Sequence, residues 1–407
     1  MQQVLYKLPD GWSWRKLSEL AKTTSGGTPS RSNKDYWGGS IPWVKSGELG
    51  DSRVEKNEEF ITELGLKNSS AKLFPKESLL LALYGATAGK LGILTYDAAT
   101  NQAVCCINQD DQLLARGFLR YYLLSQRKKI IEDSFGGAQP NISQAYVREI
   151  DIPTPPLTEQ KRIVEKLDAL LTRIDTAIEH LQESVTLADA LSQNGLDVYF
   201  AELTETNPEL TLSKLADFIS GYAFKSGDFT SESGIKPIKI TNVGVNEFSE
   251  NAEEFLPASY ETEYQRFAAK TNDIVIALTR PIINGGLKVC RVPEAYSGAL
   301  VNQRVAAITS HNRHVLDFIY LYLQSSRTKN YVLEKSKSLN QPNLSITDLK
   351  NLAIPFPNND DAIVKAVVDC NALISKARKS KAEISEKITM MQQLKASILD
   401  SAFKGEL

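Results

Sequence analysis

The chain repeats itself. Gln139-Pro140-Asn141-Ile142-Ser143 returns as Gln341-Pro342-Asn343-Leu344-Ser345, and Asn101-Gln102 returns as Asn302-Gln303. Phe118, Tyr122, Leu123 and Ser125 return as Phe318, Tyr322, Leu323 and Ser325, Ile152-Pro153 as Ile354-Pro355, and Ile163-Val164 as Ile363-Val364. The offsets stay between 200 and 202, in unbroken order. Weaker echoes join Lys16-Leu17 to Lys214-Leu215 and Ala82-Leu83 to Ala277-Leu278. Chance matches scatter in offset, so these mark one module written twice. Whatever the first copy folds into, the second folds into as well. A pseudo-two-fold molecule of this kind suits a target with two separated parts.

Each copy reads as a mixed block followed by a long helix. The first block has strand-like runs at Ile41–Lys45 and Leu79–Tyr84, broken at Gly26-Gly27-Thr28-Pro29 and Gly38-Gly39. The second has runs at Ile235–Val243 and Asp273–Leu278. One amphipathic helix is expected in each, near Leu113–Glu132 and Val315–Lys335. A last short strand ends in proline at Ile150–Pro156 and Leu352–Pro357. After the first prolines, Ile163, Leu167, Leu171, Ile174, Ile178, Leu181 and Val185 step by three and four, which is one apolar stripe on a helix. Ile363, Val367, Cys370, Ile374 and Ala377 begin the second stripe, and both copies close on Glu-Leu. Asn194-Gly195 is a candidate bend in the first of these helices.

A long narrow stripe has to be buried. Helices related by a two-fold axis run antiparallel and can cover each other. A helix of ~30 residues is ~45 Å long, enough to hold two blocks about one DNA turn apart. The competing arrangement has each helix packed on its own block.

Charge is uneven along the chain. Segment 1–150 has 19 Lys/Arg against 16 Asp/Glu, 151–205 has 4 against 11, 206–355 has 16 against 15, and 356–407 has 8 against 7. The acidic middle would repel phosphate, so nucleic acid belongs on the blocks, although an excess of +3 is also ordinary for a surface. No apolar stretch approaches ~18 residues, so no membrane span is expected. Cys105, Cys106, Cys290 and Cys370 have neither zinc-site nor disulfide-framework spacing and are expected to be buried thiols.

The catalytic motifs are near-misses. Gly85-Ala86-Thr87-Ala88-Gly89-Lys90 is one residue short of a P-loop and is followed by Leu91, which cannot supply the hydroxyl ligand for Mg²⁺. It reads as a turn between strands, or as a loop carrying Lys90 to a phosphate. Glu159-Gln160-Lys161 opens the long helix, with Thr158 expected as N-cap, and is no nuclease site. Nothing resembles the Asn/Asp-Pro-Pro-aromatic motif of an adenine methyltransferase, and Phe135-Gly136-Gly137 is too little for a cofactor loop. His311 and His314 lack evident metal partners.

Two further features are specific. Ser25-Gly26-Gly27-Thr28-Pro29-Ser30 precedes Tyr36-Trp37-Gly38-Gly39-Ser40-Ile41-Pro42-Trp43-Val44-Lys45. Pro156-Leu157-Thr158-Glu159-Gln160-Lys161-Arg162-Ile163-Val164 leads into a helix ending near Phe200-Ala201-Glu202-Leu203, an ending repeated as Ala402-Phe403-Lys404-Gly405-Glu406-Leu407. Together they resemble the specificity subunit of Type I restriction–modification enzymes, over essentially the whole chain. The resemblance implies an α+β fold: two mixed α/β target recognition domains, 1–152 and 206–355, and two spacer helices, 153–205 and 356–407, forming an antiparallel coiled coil with pseudo-two-fold symmetry. It implies that the chain is not catalytic and binds no cofactor itself. Each domain would read one half of a split sequence in double-stranded DNA. Two methyltransferase subunits using S-adenosylmethionine would pack on the scaffold. Motor–nuclease subunits using ATP and Mg would complete a restricting complex, in a prokaryotic cytoplasm and away from membranes. A specificity subunit of a methylation-only assembly is the alternative in the same class.

The second copy departs from this pattern. Ser220-Gly221-Tyr222-Ala223-Phe224 replaces Gly-Gly-Thr-Pro-Ser, and Pro357-Asn358-Asn359-Asp360-Asp361 replaces the Glu-Gln-Lys-Arg helix start. Candidates for DNA contact are Gly27, Thr28, Lys34, Lys45, Lys90, Gln139 and Asn141 in the first block. In the second they are Arg280, Asn284, Lys288, Arg304 and Asn340. The shared Gln-Pro-Asn is either a phosphate contact or a turn kept for folding, because a base-reading residue should differ between half-targets.

Overall fold

A computed structural model describes residues 6–134, 141–250, 253–336 and 342–407. It divides into two compact units, Met1–His180 with Lys387–Leu407, and Leu181–Glu386.

The first unit is built on a five-stranded sheet in the order Ala21–Ser25, Val104–Gln109, Leu79–Ala82, Leu91–Leu94 and Arg53–Val54. Leu79–Ala82 is buried along its whole length, as a continuous apolar run in a central strand should be. The helix Arg116–Glu132 buries Phe118, Leu119, Tyr122 and Leu123 in the same core as Leu79, Leu81, Cys105 and Ile107. A second, four-stranded sheet contains Trp37–Val44, which pairs in parallel with Ala98–Thr100. Ser13–Lys16 pairs with Asp151–Thr154.

The second unit repeats this frame. Its sheet order is Asp217–Ser220, Val305–Thr309, Ile274–Ala277 and Val289–Arg291, matching four strands of the first unit in sequence and direction. Pro237–Ile238 pairs in parallel with Leu300–Val301, as Trp43–Val44 does with Ala99–Thr100. Glu209–Thr211 pairs with Ala353–Pro355. The repeated tyrosines do the same work in each unit: Tyr122 Oη donates to the Asp151 carbonyl at 2.8 Å, and Tyr322 Oη to the Ala353 carbonyl at 2.9 Å. The repeated serines cap equivalent short helices. Ser143 accepts from the Tyr146 N–H ahead of Gln144–Arg148, and Ser345 accepts from the Asp348 N–H ahead of Ile346–Lys350.

Two rods complete the chain, Leu157–Thr206 and Asp360–Lys404. Each contributes its first half to one unit and its second half to the other. In the first unit, Ile163, Leu167 and Leu171 share a core with Leu399, Ala402 and Phe403. The Phe403 ring lies 5.1 Å from both Phe118 and Tyr122. In the second, Ile363, Ala366 and Cys370 share a core with Leu196 and Phe200, whose ring lies 5.6 Å from Phe318 and 5.0 Å from Tyr322. So the rods meet within each unit, and only the first half of each packs on the block immediately before it in the chain. The pairing is antiparallel. In the first unit Arg162 reaches the Leu407 carbonyl at 2.7 Å and Asp175 reaches Lys395 at 2.6 Å. In the second, Asp189 reaches Lys381 at 2.6 Å while Gly195 faces Leu373.

Several local expectations change. Asn194-Gly195 does not interrupt the first rod, which stays helical throughout. A Cβ at Gly195 would lie 2.3 Å from Leu373 Cδ2, so this glycine serves close rod approach and not a bend. Thr158 is not the N-cap, because the helix already includes Leu157. The second rod does use a side-chain cap: Asn359 Oδ1 accepts from the Ala362 N–H at 2.8 Å. Val315–Lys335 is two helices, Arg313–Leu323 and Ser326–Lys335, with Ser325 capping the latter. Ile235–Val243 is strand only at Pro237–Ile238, because a turn closed by Asn242 Oδ1 on the Lys239 N–H at 2.7 Å ends it.

Candidate nucleic-acid interface

Strand direction gathers the diverged motifs at one sheet edge in each unit. In the first, Ala21–Ser25 and Leu79–Ala82 end where Val104–Gln109 and Leu91–Leu94 begin, because the strands alternate in direction. The loops at that edge are residues 26–30, 83–90 and 101–103, joined by Asn141, which bridges Tyr84. In the second unit the same edge carries residues 221–225, 278–288 and 302–304, joined by Asn343, which bridges Thr279. The bridge is followed by matched backbone bonds, Ile142 N–H to Leu83 O and Leu344 N–H to Leu278 O, both 2.7 Å. The repeated Asn thus holds the chain against the edge by its backbone.

The first edge is mostly neutral. Gly27 is buried: its N–H donates to Thr100 O at 2.8 Å, its carbonyl accepts from Trp43 Nε1 at 2.9 Å, and a Cβ would lie 2.3 Å from the Ser70 backbone. Its role here is packing. The Thr28 hydroxyl pairs with Gln102 Oε1. Gly85 and Gly89 supply the left-handed turns of the near-P-loop, at φ 89° and 79°, and Lys90, partly buried, has no ion pair among the described residues. Asn141 is exposed. Lys45 adjoins this edge but is paired with Glu58 at 2.8 Å and Glu59 at 3.2 Å, and these bonds hold its pKa above the ordinary lysine value. Lys34 is exposed on the short turn Lys34–Tyr36.

The second edge carries more charge. Asn284 and Gly285, at φ 45° and 76°, form the two-residue turn of a hairpin between Ile282–Ile283 and Gly286–Leu287. Positive φ at both positions is the geometry Asn-Gly favours. Arg280 and Arg304 are exposed. Lys288 is not available in the same way: Nζ donates to Ile240 O at 2.9 Å, and burial lowers its pKa. Gln139 and Asn340 lie outside the described residues.

Sequence reading missed two arginines. Arg127 Nε donates to Gly89 O at 2.9 Å and its guanidinium pairs with Asp51, so it clamps the 83–90 loop from the domain helix. Arg31 lies 3.7 Å over the Trp37 ring and 5.0 Å from Trp43 while pairing with Glu59. Nothing local marks Arg127, whose partners are remote in the chain, and the nearness of Arg31 to Trp37 in sequence does not reveal its pairing with Glu59. Gln160 was read only as part of a helix start. It is fully buried, accepting from Ala115 N–H at 2.7 Å and donating to Leu113 O and Pro155 O at 3.0 and 2.9 Å. It locks the first rod to its domain.

All four cysteines are buried and free, and burial pushes the Cys105 thiol up to about 12. Among the described residues there is no group of three His, Cys, Asp or Glu that could hold a metal, and no helix is long and apolar enough to cross a membrane.

Two copies of one frame, each offering a loop-bearing edge whose sequence has diverged, define a duplicated recognition scaffold. Residues 9–187 and 204–386 each match the Type I restriction modification DNA specificity domain, and the chain belongs to that family. It is 25% identical over 395 residues to the MjaVIII specificity subunit of Methanocaldococcus jannaschii, covering 93% of this chain and 91% of that one. It is 24% identical over 430 residues to the EcoKI specificity subunit of Escherichia coli, covering 98% and 90%. Its fold is shared with the HsdS subunit from Thermoanaerobacter tengcongensis, at TM-score 0.57, 20% identity and full coverage of both chains. It is also shared with a chain from work on complex assembly and conformational transition of the type I R-M system, at TM-score 0.76, 19% identity and 99% and 100% coverage.

Proposed function

We propose that this chain is the DNA-recognition subunit of a Type I restriction–modification complex. The observation that carries the reading is one sheet edge presented twice on a common frame, with loops that differ between copies. A frame kept constant while its loops change is what reading two unlike half-targets requires. On this reading each domain reads one half of a split duplex sequence. The rods carry two methyltransferase subunits, which supply adenine methylation from S-adenosylmethionine, and motor–nuclease subunits add ATP- and Mg-dependent cleavage. The chain itself contributes recognition and scaffolding and no bond-making step.

Exchange of 1–152 for the corresponding domain of a relative tests this. Adenine-methylation mapping of a host carrying the chimera, with the matching methyltransferase subunit, should show one half of the target replaced and the other kept. Alteration of both halves would refute independent reading, and absence of any split target with the unmodified chain would refute the assignment.

A further inference from the structure

The duplication provides an internal comparison at the edge loops. In the first unit Leu83 N–H donates to Ala103 O at 2.7 Å; in the second Leu278 N–H donates to Arg304 O at 2.8 Å. Leu83 and Leu278 directly follow the equivalent strands Leu79–Ala82 and Ile274–Ala277, and Ala103 and Arg304 directly precede Val104–Gln109 and Val305–Thr309. Two residues beyond each leucine the backbone turns left-handed. The first unit has Gly85 there, at φ 89°, and the second has Arg280, at φ 47°. So at two equivalent loop positions the first domain has Gly and Ala and the second has two arginines, Arg304 being bonded through its backbone to Leu278, two residues before Arg280.

A left-handed backbone suits glycine and is unfavourable for a side chain such as arginine. Arg280 is nonetheless held in it, with its N–H on Pro342 O at 2.8 Å and Thr279 bridged to Asn343. Packing does not account for the guanidiniums. Both residues are exposed, and neither has a carboxylate partner among the described residues. Arg291, Arg313 and Arg327 of the same unit, by contrast, are paired with Asp317, Asp317 and Glu209. Unpaired forks on two loops joined by the Leu278–Arg304 backbone bond suit bidentate recognition of O6 and N7 of guanine. Gly85 and Ala103 can do nothing of the kind.

We infer that Arg280 and Arg304 are specificity-determining residues that read guanine in the half-target of the second domain, and that the first half-target is not read by guanidinium at the equivalent loop positions. This rests on the DNA-recognition reading above. The test is methylation mapping with the full chain assembled with its methyltransferase subunits, comparing wild type with Arg280→Gly, Arg280→Lys and Arg304→Ala. Arg280→Gly places the first domain's residue at a position where glycine is at ease, so its melting temperature should not fall. Discrimination at one guanine, in one half-target only, should drop roughly 10- to 100-fold in Arg280→Gly and Arg304→Ala, the scale of one lost bidentate contact. Arg280→Lys should keep at most part of it, because an ammonium can donate to O6 and N7 but lacks the planar fork. Even weakening across all sequences in Arg280→Gly and Arg304→Ala, with the preference at every position kept, would show phosphate contacts and overturn the inference. So would unchanged specificity in Arg280→Gly, or a second half-target without guanine. Failure of the parent reading looks different: the wild-type complex would then mark no split target at all.

Discussion

Phe403 and Phe200 offer a direct test of how the rods are shared between the units. Each is 2% exposed and inserts between two aromatic rings of a domain helix. Phe403 lies in the last turn of the helix Asp360–Lys404 yet completes the core of the first domain; Phe200 precedes the second domain and completes its core. Truncating a buried phenylalanine to alanine costs ~3–5 kcal/mol, with lost edge-to-face contacts within that range here. At ~1.4 kcal/mol per decade, a loss of about 4 kcal/mol raises the local opening equilibrium about 10³-fold. Hydrogen exchange read by mass spectrometry should therefore show Phe403→Ala speeding exchange in Arg116–Glu132 and Leu79–Ala82 while leaving Arg313–Leu323 unchanged. Phe200→Ala should do the reverse. If Phe403→Ala loosened the second domain, or if neither substitution altered a domain helix, the shared-core account would be wrong.

Gln160→Leu should lower stability by about 3 kcal/mol in denaturant titration, because it leaves the Ala115 N–H and the Leu113 and Pro155 carbonyls buried without their partner. Glu59 is held below the ordinary carboxylate pKa chiefly by its bond to Arg31. Its contribution to stability is present above the unfolded value of 4.5 and is lost as pH falls through the lower folded value. The melting-temperature gap between wild type and Glu59→Gln should accordingly be widest near pH 7 and close below that window; a gap constant down to pH 3 would contradict the pairing. Rod pairs such as Asp175–Lys395 and Asp189–Lys381 fix the mutual register of the helices. Four residues inserted after both Leu181 and Glu386 lengthen each rod by ~6 Å. Methylation mapping should then show the gap between half-targets wider by about two base pairs, at ~3.4 Å each, with the half-targets unaltered.

Much of this molecule is legible in its sequence because the repeat acts as its own alignment. Phe118 and Phe318, Tyr122 and Tyr322, and Asn141 and Asn343 recur because each meets a fixed demand of the frame, whether a core site, a carbonyl to donate to or an edge to bridge. The central strands and the rod stripes follow from apolar runs and helical period, which are local signals. The sequence also exposed where the copies diverge, and so where recognition had to be sought.

Other features depended on which distant residues meet. A stripe such as Ile163–Leu167–Leu171 states that a face is buried and not what buries it, so the division of each rod between two domain cores was not readable. Gly195 has the composition of a bend and serves as a close-approach site, because Leu373 stands opposite. Lys45 and Lys288 read as free cations and are tied by Glu58, Glu59 and the Ile240 carbonyl, whereas Arg280 and Arg304 read the same way and lack such partners among the described residues. Period, propensity and repetition are properties of neighbours along the chain. Burial partner, charge pairing and the common edge of loops 26–30, 83–90 and 101–103 arise only when strands of alternating direction bring remote segments together.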